Sequence, residues 1–91
     1  MPDAVSKVLE IKNRLGLHAR AAAQLVQVAS KFDAEVTVTK DGQSVSGKSI
    51  LGLMMLAAGQ GMTIEVSASG PQALEAMLAI ESLMEQKFNE E

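Results

Sequence analysis

Hydrophobic and polar residues alternate along several short stretches of this chain, and a period of two residues predicts β-strands with one buried face. Residues 34–39 alternate strictly and are rich in β-branched side chains, and residues 62–68 place apolar side chains at even positions. Residues 5–11 follow the pattern less regularly, because Lys7 falls on the same side as apolar neighbours. We therefore predict three strands from periodicity alone.

A tight turn adds a fourth strand. The pair Asp41-Gly42 follows residues 34–39 directly. Asp-Gly is favoured in two-residue hairpin loops because both turn residues need positive φ angles. Residues 43–46 are therefore predicted to be the antiparallel partner strand.

Helical periodicity appears in three segments. Residues 19–31 carry apolar side chains on one face and polar ones on the other, and residues 72–88 carry a broad apolar stripe after Gly70-Pro71. A shorter helix is predicted over residues 49–58, with Ser49 as its N-cap. The apolar positions of the two longer helices are Ala22, Leu25, Val26 and Ala29, and Leu74, Met77, Leu78, Ile80, Leu83 and Met84.

The resulting order is βαββαβα over one domain, residues 1–91. Strands that alternate bury only one face, so the predicted class is α+β. The architecture is an open-faced sandwich, a four-stranded and mainly antiparallel sheet with three helices on one face.

The short helix is too apolar to show a single buried face. A domain of this size cannot enclose it on every side, so we expect some of Ile50, Leu51, Met54 and Met55 to be exposed and to form a docking surface. The alternative, that these side chains belong to the core, stays open for any one of them.

Composition excludes several classes of function. The chain has no cysteine and a net charge of −3, and it has only two aromatic residues on which bases could stack. These features disfavour a disulfide framework, a thiolate metal site and nucleic-acid binding. The N-terminal residues lack the layout of a signal peptide, and no apolar run is long enough to span a bilayer, so we predict a cytoplasmic protein without membrane insertion.

His18, the only histidine, lies where a loop containing Gly16 meets the first predicted helix. The free N–H groups and the dipole of a helix N-terminus attract anions, and the dipole also disfavours a protonated imidazole. Arg20 adds directed hydrogen bonds to phosphate oxygens. These features favour a nucleophilic histidine that carries a phosphoryl group, and seven of the eight Lys and Arg residues lie in the same half of the chain.

Other roles for His18 remain open at this point. It could simply cap the helix or contribute a surface contact. Metal binding is disfavoured because one histidine without cysteine cannot complete a coordination shell. Hydrolysis lacks an acidic residue within residues 13–32 to orient the imidazole, although the fold could bring a distant one to it.

Three motifs identify a resemblance that covers nearly the whole chain: G-L-H-A-R, A-S-K-F-D-A-E-V and G-K-S-I-L-G-L-M. They resemble the HPr family, the histidine phosphocarriers of the bacterial phosphoenolpyruvate-dependent phosphotransferase system. The resemblance implies that His18 accepts a phosphoryl group on Nδ1 from Enzyme I and donates it to Enzyme IIA domains. Arg20 matches the arginine that assists the phosphate. Ser49 matches the serine that an ATP-dependent HPr kinase phosphorylates in many relatives.

The resemblance further implies a monomeric carrier with no cofactor and no catalytic activity of its own. We assign Leu17, Gln24, Ile50, Leu51 and Met54 to partner docking.

One departure from the family pattern is Ala21, where the family usually has proline. Several segments also resemble the nitrogen-related branch, so a nitrogen-related carrier stays an alternative to a sugar-transport carrier. A second alternative is a regulatory binding module that signals through phosphorylated Ser49. A nucleic-acid or ligand-sensing domain is a distant third.

Overall fold

Strands and helices follow one another in the order that the hydrophobic pattern predicts. The computed structural model describes residues 4–90. Its strands are β1 (Ala4–Glu10), β2 (Glu35–Lys40), β3 (Gln43–Ser46) and β4 (Thr63–Ser69), and its helices are α1 (Ala19–Ala29), α2 (Ile50–Met55) and α3 (Ala73–Glu85). A short turn with positive φ angles, Lys87–Asn89, follows α3. The βαββαβα order is confirmed.

The four strands form one antiparallel sheet in the order β1-β4-β2-β3. Its inner face consists of alternate side chains that are almost fully buried, because the period-two pattern points them all to one side. These residues are Val36, Val38, Ile64, Val66 and Ala68. The predicted α+β open-faced sandwich is confirmed.

The β2–β3 hairpin closes through the predicted turn. Asp41 and Gly42 have φ angles of 51° and 81°, and Lys40 pairs with Gln43. Both turn residues have the positive φ that a two-residue hairpin loop requires.

The three helices cover the inner face of the sheet. α3 packs over β1, β4 and β2, α2 packs against β3, and α1 contacts both other helices. No helix within residues 4–90 is long and apolar enough to cross a membrane. α2 ends earlier than predicted because Ala57 has a φ of 52°, which is not helical, and α3 ends at Glu85 because three residues with positive φ follow it from Lys87.

Some apolar residues that periodicity places in the core are exposed. Leu74 and Leu78 of α3 are 58% and 53% exposed, and Met62 beside β4 is 47% exposed. The stripe on α3 is wider than the area that the sheet can cover, so its outer edge remains in solvent.

Lys7 departs from the alternation of β1 because β1 lies at the edge of the sheet. Its Nζ reaches the Glu81 carboxylate of α3 at 2.8 Å. A long side chain at a sheet edge can place its apolar stem over the core and its charge in water, which reconciles a lysine with an inward-facing position.

Candidate functional site

His18 caps the N-terminus of α1. Its backbone is extended, with a φ of −77° and a ψ of −179°, and its Nδ1 accepts a hydrogen bond from the Arg20 N–H at 3.3 Å. The His18 carbonyl accepts the first helical bond, from the Ala22 N–H at 2.8 Å. The predicted capping position is therefore confirmed, and Nδ1 faces the free N–H groups of the first turn.

The loop before His18 is held against the segment that follows α2. The Leu17 N–H donates to the Ala58 carbonyl at 2.9 Å. Gly16 has a φ of +69°, and a Cβ atom there would lie only 2.5 Å from the Ala58 oxygen. Only glycine fits both the left-handed backbone and this close approach. Gly16 therefore fixes the position of the loop that carries His18.

Asn13 braces the same loop from inside. It is fully buried, and its Nδ2 donates to the Gly16 carbonyl at 2.8 Å and to Glu90 Oε1 at 3.0 Å. Both partners are acceptors, which determines the orientation of the amide group. Its Oδ1 receives no hydrogen bond from the described residues, so the two donated bonds are what this buried amide contributes.

Glu90 brings a carboxylate to the imidazole. Its Oε2 contacts His18 Nε2, although the two residues are 72 positions apart in the sequence. The Glu90 side chain is 7% exposed and that of His18 is 27% exposed. The fold thus supplies the acidic neighbour that the sequence around His18 lacks.

The charge of Glu90 is stabilised despite its burial. Burial alone raises the pKa of this carboxyl. The hydrogen bonds with Asn13 and His18, and the positive charges of a protonated His18 and of Arg20, together outweigh burial and hold the pKa of Glu90 below its ordinary value. The group beside Nε2 is therefore a carboxylate at neutral pH.

The two ring nitrogens of His18 have different partners. An imidazole nitrogen that accepts from a backbone N–H carries no proton, so the Arg20 N–H selects Nδ1 as the unprotonated atom. The proton then lies on Nε2, which donates to Glu90. Nδ1 is consequently the nitrogen with an available lone pair.

A left-handed turn at the end of the chain carries Glu90 to this position. Lys87, Phe88 and Asn89 have φ angles of 56°, 53° and 61°. Phe88 is fully buried, and its carbonyl accepts a hydrogen bond from Gln24 Nε2 at 3.0 Å. Asn89 Nδ2 donates to Gln24 Oε1 at 3.2 Å.

Two of the residues assigned to partner docking make contacts within the protein. Leu17 is 5% exposed and lies in the hydrophobic core, and its backbone N–H is bonded to the Ala58 carbonyl. Gln24 is half-buried and both ends of its amide bind the C-terminal turn. Leu17 therefore offers almost no surface to a partner, whereas the docking role of the half-buried Gln24 stays a prediction.

The surface of α2 is apolar and open, as predicted. Ile50, Leu51, Met54 and Met55 are 42%, 70%, 41% and 61% exposed. We call these four residues the α2 patch. They stay outside because α2 buries its opposite side through Leu53, which is inaccessible to solvent.

Ser49 caps α2, with its Oγ accepting a hydrogen bond from the Gly52 N–H at 3.0 Å. α2 therefore runs from Ser49 to the segment whose Ala58 carbonyl contacts the His18 loop. Arg20 is exposed at the start of α1. Ala21, where proline was expected, is fully buried in the first turn.

Sequence reasoning did not identify Asn13 or Glu90 as site residues. Asn13 lies in the loop before His18, where an asparagine ordinarily indicates no more than a turn. Glu90 is reached only through three consecutive non-glycine residues with positive φ, a conformation that their side chains do not indicate.

Known proteins resemble this chain both in sequence and in structure. A family model described as the PTS HPr component phosphorylation site matches residues 5–86. Phosphocarrier protein HPr of Neisseria meningitidis serogroup A is 51% identical over 82 residues, covering 90% of this chain and 92% of that protein. Phosphocarrier protein NPr of Shewanella violacea is 44% identical over 86 residues, 94% of each chain. The crystal structure of HPr-C-His from Thermoanaerobacter tengcongensis has a TM-score of 0.92 at 47% identity, covering 96% of this chain and 98% of that one.

Proposed function

This chain belongs to the HPr family of phosphocarrier proteins, and we propose that it carries the phosphoryl group on Nδ1 of His18. The single observation that supports this assignment is the capping geometry, in which Nδ1 accepts a hydrogen bond from the Arg20 N–H and faces the N-terminus of α1. An anion bound there meets the free N–H groups and the positive end of the helix dipole.

The reaction is a displacement at phosphorus. The Nδ1 lone pair forms the N–P bond while the bond from phosphorus to the donor atom in Enzyme I breaks. No proton needs to move, because Nε2 keeps its proton throughout. The Arg20 N–H, freed from Nδ1, can donate to a phosphoryl oxygen, and the exposed Arg20 guanidinium adds charge. Transfer to an Enzyme IIA domain reverses these steps, and the carrier alone turns nothing over.

Phosphorylation with radiolabelled phosphoenolpyruvate and Enzyme I tests the acceptor. We expect the wild type and Ser49→Ala to be labelled, His18→Ala to remain unlabelled, and Arg20→Ala to be labelled more slowly. The label should be lost in acid and retained in alkali, as expected for a phosphohistidine and not for a phosphoserine. Label that persists in His18→Ala would assign the phosphate to another residue.

The α2 patch is proposed as the surface on which Enzyme I and Enzyme IIA dock, through Ile50, Leu51 and Met54. Its exposed apolar area, on a helix that packs against α1, supports this role. Leu51→Glu should raise the KM for the carrier about tenfold, the effect of losing a central apolar contact of an interface. The matched control is Leu74→Glu, the same substitution at an exposed leucine of α3, and it should leave the KM unchanged.

Regulation through Ser49 is a second part of the proposal. Ser49 is partly exposed and its Oγ lies at the edge of the α2 patch. A phosphate there would put negative charge beside an apolar docking surface. Incubation with an HPr kinase and ATP should label the wild type and not Ser49→Ala. A regulatory module acting only through Ser49 would instead bind its target in His18→Ala as it does in the wild type.

The sugar and nitrogen branches are distinguished by the partner. The similarity to an NPr keeps the nitrogen-related system as the alternative. We favour the sugar-transport system, a cytoplasmic location and a monomeric carrier. Phosphorylation rates with the Enzyme I of each branch, measured side by side, decide between them, and a faster rate with the nitrogen-related enzyme would overturn our choice.

A further inference from the structure

The contact of Glu90 with His18 is not used by the transfer described above. The imidazole is nevertheless held from two sides, by the Arg20 N–H at Nδ1 and by the Glu90 carboxylate at Nε2. Both contacts require the same tautomer, with the proton on Nε2. The imidazole must be in this tautomer before the phosphoryl donor arrives, because only then does Nδ1 have the lone pair that attacks phosphorus.

The carboxylate is held firmly in place. A charged side chain that is 7% exposed is unfavourable unless it is hydrogen-bonded, and Glu90 has a second partner in the buried amide of Asn13, at 3.0 Å. The Asn13 amide is oriented in turn by the Gly16 carbonyl, in the loop that carries His18. One buried side chain therefore ties both the carboxylate and the histidine loop together.

The chain adopts an unfavourable backbone to make this contact. Lys87, Phe88 and Asn89 all have positive φ, a conformation that non-glycine residues rarely adopt. The burial of Phe88 and the two hydrogen bonds of Gln24 hold the turn. The outcome of this turn is that Glu90 lies against the ring.

We propose that Glu90 is a positioning residue for phosphoryl transfer through His18. It keeps the proton on Nε2, so that Nδ1 stays nucleophilic, and it stabilises the positive charge that the ring gains as the N–P bond forms. The proton stays on Nε2 while phosphorus moves from its donor to Nδ1. This inference rests on the proposed function, since it requires His18 to be the acceptor.

Glu90→Gln tests the inference with the least change in shape. The amide oxygen of the new side chain must face Asn13 Nδ2, which is a donor, so its NH₂ group must face His18 Nε2. A donor at Nε2 favours the opposite tautomer, with the proton on Nδ1. Glu85→Gln is the matched control, because Glu85 binds Lys12 at 2.8 Å and does not touch His18.

The first measurement is the tautomer of His18, followed by nitrogen NMR of the unphosphorylated protein above the range where imidazole is protonated. We expect the proton on Nε2 in the wild type and in Glu85→Gln, and a shift toward Nδ1 in Glu90→Gln. The conservative variant Glu90→Asp retains a carboxylate and should restore the wild-type tautomer in part. Circular dichroism checks that each variant is folded.

The second measurement is the rate of phosphorylation by Enzyme I. We expect Glu90→Gln to be about tenfold slower, Glu85→Gln unchanged and Glu90→Asp intermediate, because a charge-assisted hydrogen bond to a partly exposed ring is lost. An unchanged tautomer or an unchanged rate in folded Glu90→Gln overturns the inference while leaving His18 as the acceptor. Absence of label on His18 in the wild type instead overturns the proposed function.

Discussion

Replacing Gly16 by alanine tests how strictly the loop before His18 determines the position of the site. The Gly16 φ of +69° disfavours any L side chain by about 1–2 kcal/mol. The new Cβ would also lie 2.5 Å from the Ala58 oxygen and 2.9 Å from the Gly59 Cα, both backbone atoms that must move apart. That movement breaks the Leu17 N–H bond to Ala58, which contributes about 1 kcal/mol. We expect a total loss of about 3 kcal/mol.

Gly42→Ala separates the two contributions to this loss. Gly42 has a φ of +81°, and a Cβ atom there has no neighbour within 4 Å. Its replacement should therefore reduce the free energy of unfolding by only about 1–2 kcal/mol, the contribution of backbone conformation alone. Urea denaturation of both variants gives the comparison, and a domain of this size loses roughly 4–8 °C in Tm for each kcal/mol. Equal destabilisation of the two variants would refute the close approach of Gly16 to Ala58.

Three further substitutions or conditions test other parts of the structure. Ser49→Ala removes the hydrogen bond to the Gly52 N–H and should lower the free energy of unfolding by about 1 kcal/mol in urea denaturation, whereas Ser49→Asp keeps a cap. Phe88→Ala should lose about 3 kcal/mol, because the side chain is fully buried, while Leu78→Ala on the exposed side of α3 should change stability by less than about 0.5 kcal/mol. Because the pKa of Glu90 is lowered by folding, its contribution to stability is complete above the ordinary value of 4.5 and is lost as the pH falls through the lower folded value. Urea midpoints measured through this acidic range should therefore fall more steeply for the wild type than for Glu90→Gln.

Features that depend on a few consecutive residues could be predicted from the sequence. The cap at Ser49, the cap at His18 and the turn at Asp41-Gly42 each follow from residue types within one turn of backbone, and the structure has all three. The sheet and its helical cover follow because strict alternation leaves only one face to bury.

The parts that could not be predicted depend on long-range packing. Leu17 is next to His18 in the sequence, but no local pattern shows that its side chain is buried in the core. The same applies to Glu90, which lies 72 positions from His18 and approaches it through a left-handed turn at residues 87–89. The capping position of His18 predicts that Nδ1 is the nucleophilic nitrogen, whereas the carboxylate that contacts Nε2 is supplied by tertiary structure.

The spacing of Ser49 and His18 determines how a phosphate on one could affect the other. The six residues of α2 alone separate the Ser49 cap from the segment that contacts the His18 loop by about 9 Å. The Debye length at physiological ionic strength is about 8 Å, so charge on Ser49 weakens over the length of α2 before it reaches the His18 loop. It would, however, adjoin the α2 patch directly. We therefore expect phosphorylation of Ser49, or Ser49→Asp, to raise the KM of the carrier for Enzyme I much more than it lowers kcat. A fall in kcat at unchanged KM would instead mean that Ser49 acts on the chemistry at His18.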